Sequence, residues 1–173
     1  MQTRNEIKAA FDRKVNALSL RPYVGQGTAR TSVRIVDGLS CEIQDGPWKL
    51  FADMSARSGG NGQGPDPGVL GRSALGSCLA ISYVLWASRL EVPIDALEVD
   101  VEADYDARGM YGWDEVEAGY LEVRYTVRVS SPAPREAIME VLDLADRHGS
   151  YLAVFGKPQR VVREVLLNPQ KTN

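Results

Sequence analysis

Apolar and small residues occupy almost every position from Val69 to Trp86, and Arg72 is the only charge among them. A helix that is apolar nearly all round is buried nearly all round, so this stretch predicts the central helix of the fold. Its start is marked. Asp66 can accept the free amide protons of the first turn, and Pro67 then takes the first helical position, where a missing N–H costs nothing. The run is too short and too rich in serine to span a bilayer, which makes it a core helix. Gly71, Ala74, Gly76 and Ser77 leave room for another backbone to approach closely.

The flanking segments carry other periods. Ile7, Phe11, Val15 and Leu18 recur at helical spacing between charges, which predicts a narrow amphipathic helix over Thr3 to Leu18. Such a stripe needs a surface, its own domain or a partner subunit. Pro22, Gly25 and Gly27 then form a linker. From Thr28 to Phe51 the pattern alternates: Val33 and Ile35 against Ser32 and Arg34, then Leu39, Cys41 and Ile43 against Ser40, Glu42 and Gln44. Asp37-Gly38 is a hairpin signal, and Asp45-Gly46-Pro47 turns the chain again before a strand at Trp48 to Ala52. Cys41 is thereby placed in the sheet core beside Leu39 and Ile43. Asp53 to Gly64 is a Gly- and Ser-rich loop, either a lid over the start of the central helix or a plain connection. No Gly-Lys-Ser/Thr follows its glycines, so it is not a phosphate loop.

Val92-Pro93 breaks the chain after the central helix. Leu97, Val99, Val101, Ala103 and Tyr105 alternate with Glu98, Asp100, Glu102 and Asp104. Leu121, Val123, Tyr125, Val127 and Val129 alternate with Glu122, Arg124, Thr126 and Arg128. The acidic face of one strand beside the partly basic face of the other favours their pairing. The loop between them exposes Tyr111 and Trp113, as a ligand mouth or a plain hairpin cap. Ser131-Pro132 opens a second helix with Ser131 as N-cap. Its stripe is Ile138, Val141, Leu142 and Ala145, and Gly149 ends it. Arg147 and His148 lie in the last turn, where cations suit the helix dipole. Val161 to Leu167 reads as a final strand. This order of elements has no βαβ rhythm and predicts an α+β fold. The chain divides into an N-terminal helical arm and linker (1–27), the main domain (28–167) and a tail (168–173).

Composition narrows the function. A chain of 173 residues has room for one domain with a sizeable core. A net charge of −3 without any Lys/Arg block lacks the footprint of nucleic-acid binding. Met1-Gln-Thr-Arg-Asn-Glu has no apolar run behind it, unlike a secretory signal, which points to the cytoplasm. Two widely separated cysteines, Cys41 and Cys78, suggest neither a disulfide framework nor zinc. The single histidine, His148, leaves little for a His-based triad or metal site, and no metal, cofactor or membrane partner is expected.

Gly59-Gly60, then Gly64-Pro65-Asp66-Pro67, then Ala74-Leu75-Gly76-Ser77-Cys78-Leu79-Ala80 resemble the signature of the OsmC/Ohr family, the osmotically inducible and organic hydroperoxide resistance proteins. The similarity runs from Thr28 to Leu167, through the strand beginning at Leu97 and the helix that ends near His148. It implies an OsmC-like fold in which antiparallel sheets wrap around a long buried central helix, as an intertwined homodimer. It also implies a reactive Cys78 with an arginine supplied across the dimer, and either Arg30 or Arg34 fits that role. Two positions depart from the family pattern. Strongly peroxidatic members carry a glutamate ten residues before the cysteine, where this chain has Gly68. They also carry a second cysteine near the end of the later helix, where this chain reads Arg147-His148-Gly149-Ser150-Tyr151.

A peroxide-reducing cysteine must be a thiolate that passes through a sulfenic acid. The dipole of its own helix cannot supply the acidity, because Cys78 lies about three turns in and the dipole fades within the first turn. Arg72, six residues earlier, projects well off the Cys78 face. A cation from elsewhere is therefore expected. Three readings stand. Cys78 reduces organic hydroperoxides in an oxidative stress response, as a single-cysteine enzyme reset by an external thiol reductant. Or the homodimer cleft binds a small apolar or electrophilic ligand without peroxidase turnover. Or Cys78 is inert core and the N-terminal helix docks on a partner.

Overall fold

The computed structural model describes residues 3–167. In chain order these form α1 (Arg4–Leu20), β1 (Ser32–Asp37), β2 (Ser40–Asp45), β3 (Trp48–Ala52), α2 (Pro67–Arg89), β4 (Ala96–Tyr105), α3 (Ala107–Met110), β5 (Tyr120–Ser130), α4 (Arg135–Arg147) and α5 (Ser150–Gly156). The fold is α+β with two antiparallel sheets, β1-β2-β3 and β4-β5. The tail expected over 168–173 lies outside the described residues.

The central helix starts where the sequence marks it. The Asp66 carboxylate accepts the Val69 N–H at 2.9 Å, and Pro67 is the first helical residue. Leu75, Leu79 and Tyr83 recur every fourth position and share one face. They are fully buried, together with Ala145 of α4, against Leu97, Val99 and Val101 of β4, Val123, Tyr125 and Val127 of β5, and Leu152 of α5. Burial is one-sided, however. Ile81 and Val84 are exposed on the opposite face. The helix is also longer than expected, 23 residues, and among the described residues it alone is long and apolar enough to cross a membrane. Its Leu75–Leu79–Tyr83 face is instead the core of the domain.

β4 and β5 pair over their full length, with Val99 opposite Val127 and Val101 opposite Tyr125. On the outer face Arg124 pairs with Asp104 and Glu122, and Arg128 with Asp100 and Glu98. The complementary charges therefore meet as the alternation indicated. The loop between the strands holds α3 and leaves Tyr111 and Trp113 exposed.

α1 folds back on the C-terminal half of α2. Thr3 and Glu6 form a reciprocal capping box at its start. The Phe11 ring meets Trp86 edge-on at 5.3 Å, the Arg89 guanidinium covers Phe11, and Lys8 pairs with Glu91 at 2.6 Å. Of the two surfaces the stripe could use, the chain itself supplies one.

Two expectations about the second half of the chain are corrected, and one helix is added. Ser131 does not cap α4. Pro134 stands at that position without a side-chain bond, and the Ser131 hydroxyl donates to the Pro93 carbonyl while accepting from the Ala133 N–H at 3.0 Å. Pro134 pushes Ala133 out of the helical region, so the helix begins only after the second proline. Gly149 does end α4, but the chain re-enters a helix at once as α5. Residues 161–167 are not a strand. Among the described residues they have no strand beside them, and Val161 is 89% exposed. An extended valine-rich segment becomes a strand only when another edge accepts its hydrogen bonds.

The loop after β3 is a connection pinned in place rather than a lid. Asp53 is buried and accepts four bonds, from the Ser40 hydroxyl at 2.7 Å and from the N–H groups of Met54 (2.7 Å), Asn61 (3.1 Å) and Gln63 (3.1 Å). The loop closes so tightly that a Cβ on Gly60 would stand 2.0 Å from the Met54 carbonyl oxygen. Gly60→Ala is therefore expected to destabilise the protein by roughly 1–3 kcal/mol, the usual range for overpacking, as read by urea unfolding. The Gln63 N–H and Ser40 hydroxyl, with the Met54 and Asn61 N–H groups, hold the Asp53 carboxyl below the usual carboxylate range against the opposing effect of burial. A depressed carboxyl stabilises the fold above its unfolded pKa, near 3.9, and that increment disappears as pH falls through the folded value. Asp53→Asn should flatten the acid limb of the stability–pH curve; an unchanged limb would show that the loop does not depend on the charge.

Candidate functional site

Cys78 sits midway along α2, beside rather than on the Leu75–Leu79–Tyr83 face, and is half-buried. This position turns the sulfur toward the α4–α5 corner. Its Sγ lies 3.5 Å from the Ser150 hydroxyl. Ser150 is the first residue of α5, and the first amides of a helix have no partner within it. Ser82 lies one turn further along α2 and on the same side as Cys78.

Opposing effects act on the thiol. Burial pushes its pKa up. The Ser150 hydroxyl, the Tyr151 N–H, the Ser82 hydroxyl and the Ser150 N–H all favour the thiolate, and together they bring the thiol below its ordinary value. The acidity thus comes from a second helix start and two hydroxyls. A cation had been expected in that place.

The structure puts the two arginine candidates elsewhere in the single chain. Arg30 is exposed in the extended segment before β1. Arg34 lies on β1 and pairs with Glu42 at 3.2 Å. Neither is among the groups that hydrogen-bond Cys78. At Gly68, where the family pattern has a glutamate, the Tyr120 hydroxyl donates to the Gly68 carbonyl at 3.3 Å and accepts from Arg72 Nη1 at 3.2 Å. A Cβ on Gly68 would stand 3.2 Å from that Arg72 nitrogen. The space beside position 68 is filled by an arginine of the same helix.

Cys41 is a free thiol on β2, cross-strand from Ile35 and Ala52. It shares the apolar face of its sheet with Val33, Ile43 and Leu50, as its alternation requires. Among the described residues little covers that face: Val33 is 61% and Ile35 64% exposed. His148 caps the end of α4 and stacks on Trp86 with ring centres 5.2 Å apart. A cleft of about 400 Å³ between α2 and β4 is lined by Val69, Arg72, Ser73, Ser77, Val99 and Val101, and Cys78 does not line it. Among the described residues no three His, Cys, Asp or Glu side chains gather as metal ligands.

Sequence reasoning singled out Cys78 but missed its partners. Ser82 was legible, one helical turn away on the same face. Ser150 and Tyr151 were not, because the corner that brings them to the sulfur is made by a helix the pattern did not reveal.

Residues 60–162 match a family model described as OsmC-like protein. The fold is similar to that of an OsmC-like protein from Mycoplasma pneumoniae, at 14% identity over 76% of this chain and 89% of that one, with a TM-score of 0.65. An OsmC-like protein from Vibrio cholerae shares 11% identity over 75% and 94% of the two chains, with a TM-score of 0.59. An organic hydroperoxide resistance protein OsmC from Legionella pneumophila shares 18% over 75% and 89%, with a TM-score of 0.55. At these identities the likeness is one of fold. No curated protein matches the chain.

Ser150→Ala removes the hydroxyl that does most to offset burial at Cys78. The Cys78 thiol pKa should rise, so that alkylation by iodoacetamide slows near neutral pH and recovers in alkaline solution. Cys41 should not change. A pH profile identical to that of the unsubstituted protein would remove Ser150 from the site.

Proposed function

The chain belongs to the OsmC-like protein family, and on that footing we propose that it reduces organic hydroperoxides through Cys78 as a single-cysteine enzyme. The observation that carries the reading is the environment of the sulfur, which favours a thiolate and offers it a hydroxyl, Ser150, where a second thiol would be needed for an internal disulfide.

The chemistry runs in three balanced steps. The Cys78 thiolate attacks the distal oxygen of ROOH, the O–O bond breaks, and Cys78 becomes a sulfenic acid while the alkoxide leaves and takes a proton as ROH. An external thiol then attacks the sulfenic sulfur, giving a mixed disulfide and water. A second thiol attacks that disulfide, returns Cys78 to the thiolate and leaves as the oxidised reductant. Ser150 and Tyr151 hold the anionic sulfur at both ends of the cycle. Ser150 cannot take the resolving step itself, because an oxygen cannot close a disulfide.

We place this chemistry in a homodimer. The open apolar face of β1-β2-β3, the exposed Ile81 and Val84 on α2, and the unpaired valine-rich segment 161–167 are three surfaces that a second copy would cover. In that assembly Arg30 or Arg34 of one copy approaches Cys78 of the other and adds the charge that the single chain lacks.

Reduced protein mixed with cumene hydroperoxide should consume it and form a sulfenic acid at Cys78, trapped by dimedone, with turnover sustained by added dithiothreitol. Cys78→Ser should be inactive and Cys41→Ser active. No loss of peroxide together with no dimedone adduct would reject the enzyme and leave a ligand-binding family member. Ser150→Cys should instead divert the oxidised sulfur into a disulfide within the chain, seen as a mass two units lower, about the mass of two hydrogens, that reductant reverses.

A further inference from the structure

The corner that carries Ser150 is itself held by a half-buried polar clamp. The Tyr83 hydroxyl of α2 donates to Asp146 Oδ1 at 2.7 Å, and the Tyr125 hydroxyl of β5 donates to Asp146 Oδ2 at 3.0 Å. Tyr83 is fully buried. A phenylalanine would fill the same volume, so its hydroxyl is there for Asp146. A carboxylate in this position is costly unless it is bonded, and each of its oxygens meets one tyrosine. Burial, and then Asp146, push both tyrosine hydroxyls toward their neutral, donating form.

The geometry links this clamp to the sulfur. Asp146 is in the last turn of α4, and Ser150 follows four residues later. The corner runs antiparallel to α2, with Asp146 on Tyr83 and Ser150 on Cys78. The two contacts are five residues apart on α2, about 7.5 Å along its axis. Little slack lies between them. A Cβ on the buried Gly149 would stand 3.3 Å from the Asp146 carbonyl oxygen and 3.3 Å from Leu152 Cδ1. Next to it, His148 is stacked on Trp86. The Ser150–Cys78 contact, at 3.5 Å, is long enough that a small displacement of the corner breaks it.

We propose that Asp146 is the positioning residue of the Cys78 site: the two tyrosines gripping its carboxylate fix the α4–α5 corner where Ser150 meets the sulfur and Tyr151 follows it. Asp146 does not touch the reacting atoms. The proposal rests on the reading of Cys78 as a functional thiolate. It gives the single chain a way to favour the thiolate before any cation arrives from a second copy, because a site held to within about 0.5 Å needs a rigid supporting shell.

The test is the pH dependence of Cys78 alkylation in Tyr83→Phe, Tyr125→Phe and Asp146→Asn, with Cys41 as internal reference and thermal melts alongside. The clamp predicts slower alkylation of Cys78 near neutral pH and a profile displaced to higher pH, with Cys41 unmoved. Tyr83→Phe should slow Cys78 at least as much as Ser150→Ala does. The double variant Tyr83→Phe with Ser150→Ala should match the slower single variant, because both act through the same corner. Tyr125→Phe removes only one of the two grips and keeps the test available if Tyr83→Phe does not fold. A lowered melting temperature with an unchanged Cys78 profile would reduce the clamp to structural glue and overturn the proposal. Fully additive effects of Tyr83→Phe and Ser150→Ala would overturn it as well. Peroxide turnover is read separately. An unsubstituted protein that consumes no hydroperoxide, with the alkylation shifts present, would sink the enzyme reading and leave the clamp standing.

Discussion

The fold depends on burying one face of α2. Leu75, Leu79 and Tyr83 leave water against the inner face of β4-β5 and against α4. Each such side chain contributes about 1.5–3 kcal/mol when fully buried. This packing sets the depth of the helix under the sheet and the line along which α4 runs. Every contact at the cysteine follows from that placement, because Cys78 sits on the same helix, turned slightly away from its buried stripe.

That offset explains the character of the sulfur. A cysteine on the buried stripe would be sealed in hydrocarbon and its thiol would be raised. A cysteine on the opposite face would be as acidic as any thiol in water. Cys78 lies between the two, where burial opposes ionisation but α5 begins within reach and supplies donors. The outcome is decided by hydrogen bonds that exist only because α4 ends at Gly149 and the chain immediately turns into a new helix. Asp146 and His148, just before the turn, tie it to Tyr83 and Trp86 of the same central helix. The thiol and the group that tunes it are therefore held to one rigid element.

The N-terminal sheet has the converse property. The β1-β2-β3 sheet pairs internally, yet Val33, Ile35 and Leu50 of its apolar face are left exposed among the described residues. The pinned loop from Asp53 to Gly64 leads from that sheet to the start of α2 and fixes the connection between them, since Asp53 bonds backbone on both sides of it. A sheet that is well ordered but left uncovered accords with the proposed second copy, and so does the valine-rich segment 161–167.

Local chemistry made much of this readable from the chain alone. Asp66-Pro67 could only start a helix, because a carboxylate cap and a missing N–H suit a first turn and little else. The alternation in β4 and β5 could only be a half-buried pair, and the hairpin at Asp37-Gly38 followed from a glycine able to take a positive φ. The family signature around Cys78 was legible for the same reason, being contiguous. What escaped was set by contacts between distant residues. The first turn of α4 was misplaced because two prolines acted together. Residues 161–167 had the composition of a strand and no edge to join. Ser150 meets Cys78 across 72 positions of sequence, and no periodicity encodes that distance. Sequence determined most of the helices and strands and singled out Cys78 as the candidate thiol, since those choices are made within a few neighbouring residues. Only the packing of α4 against α2 decided which groups surround the sulfur, because the charge state of a buried thiol is a property of its neighbours in space.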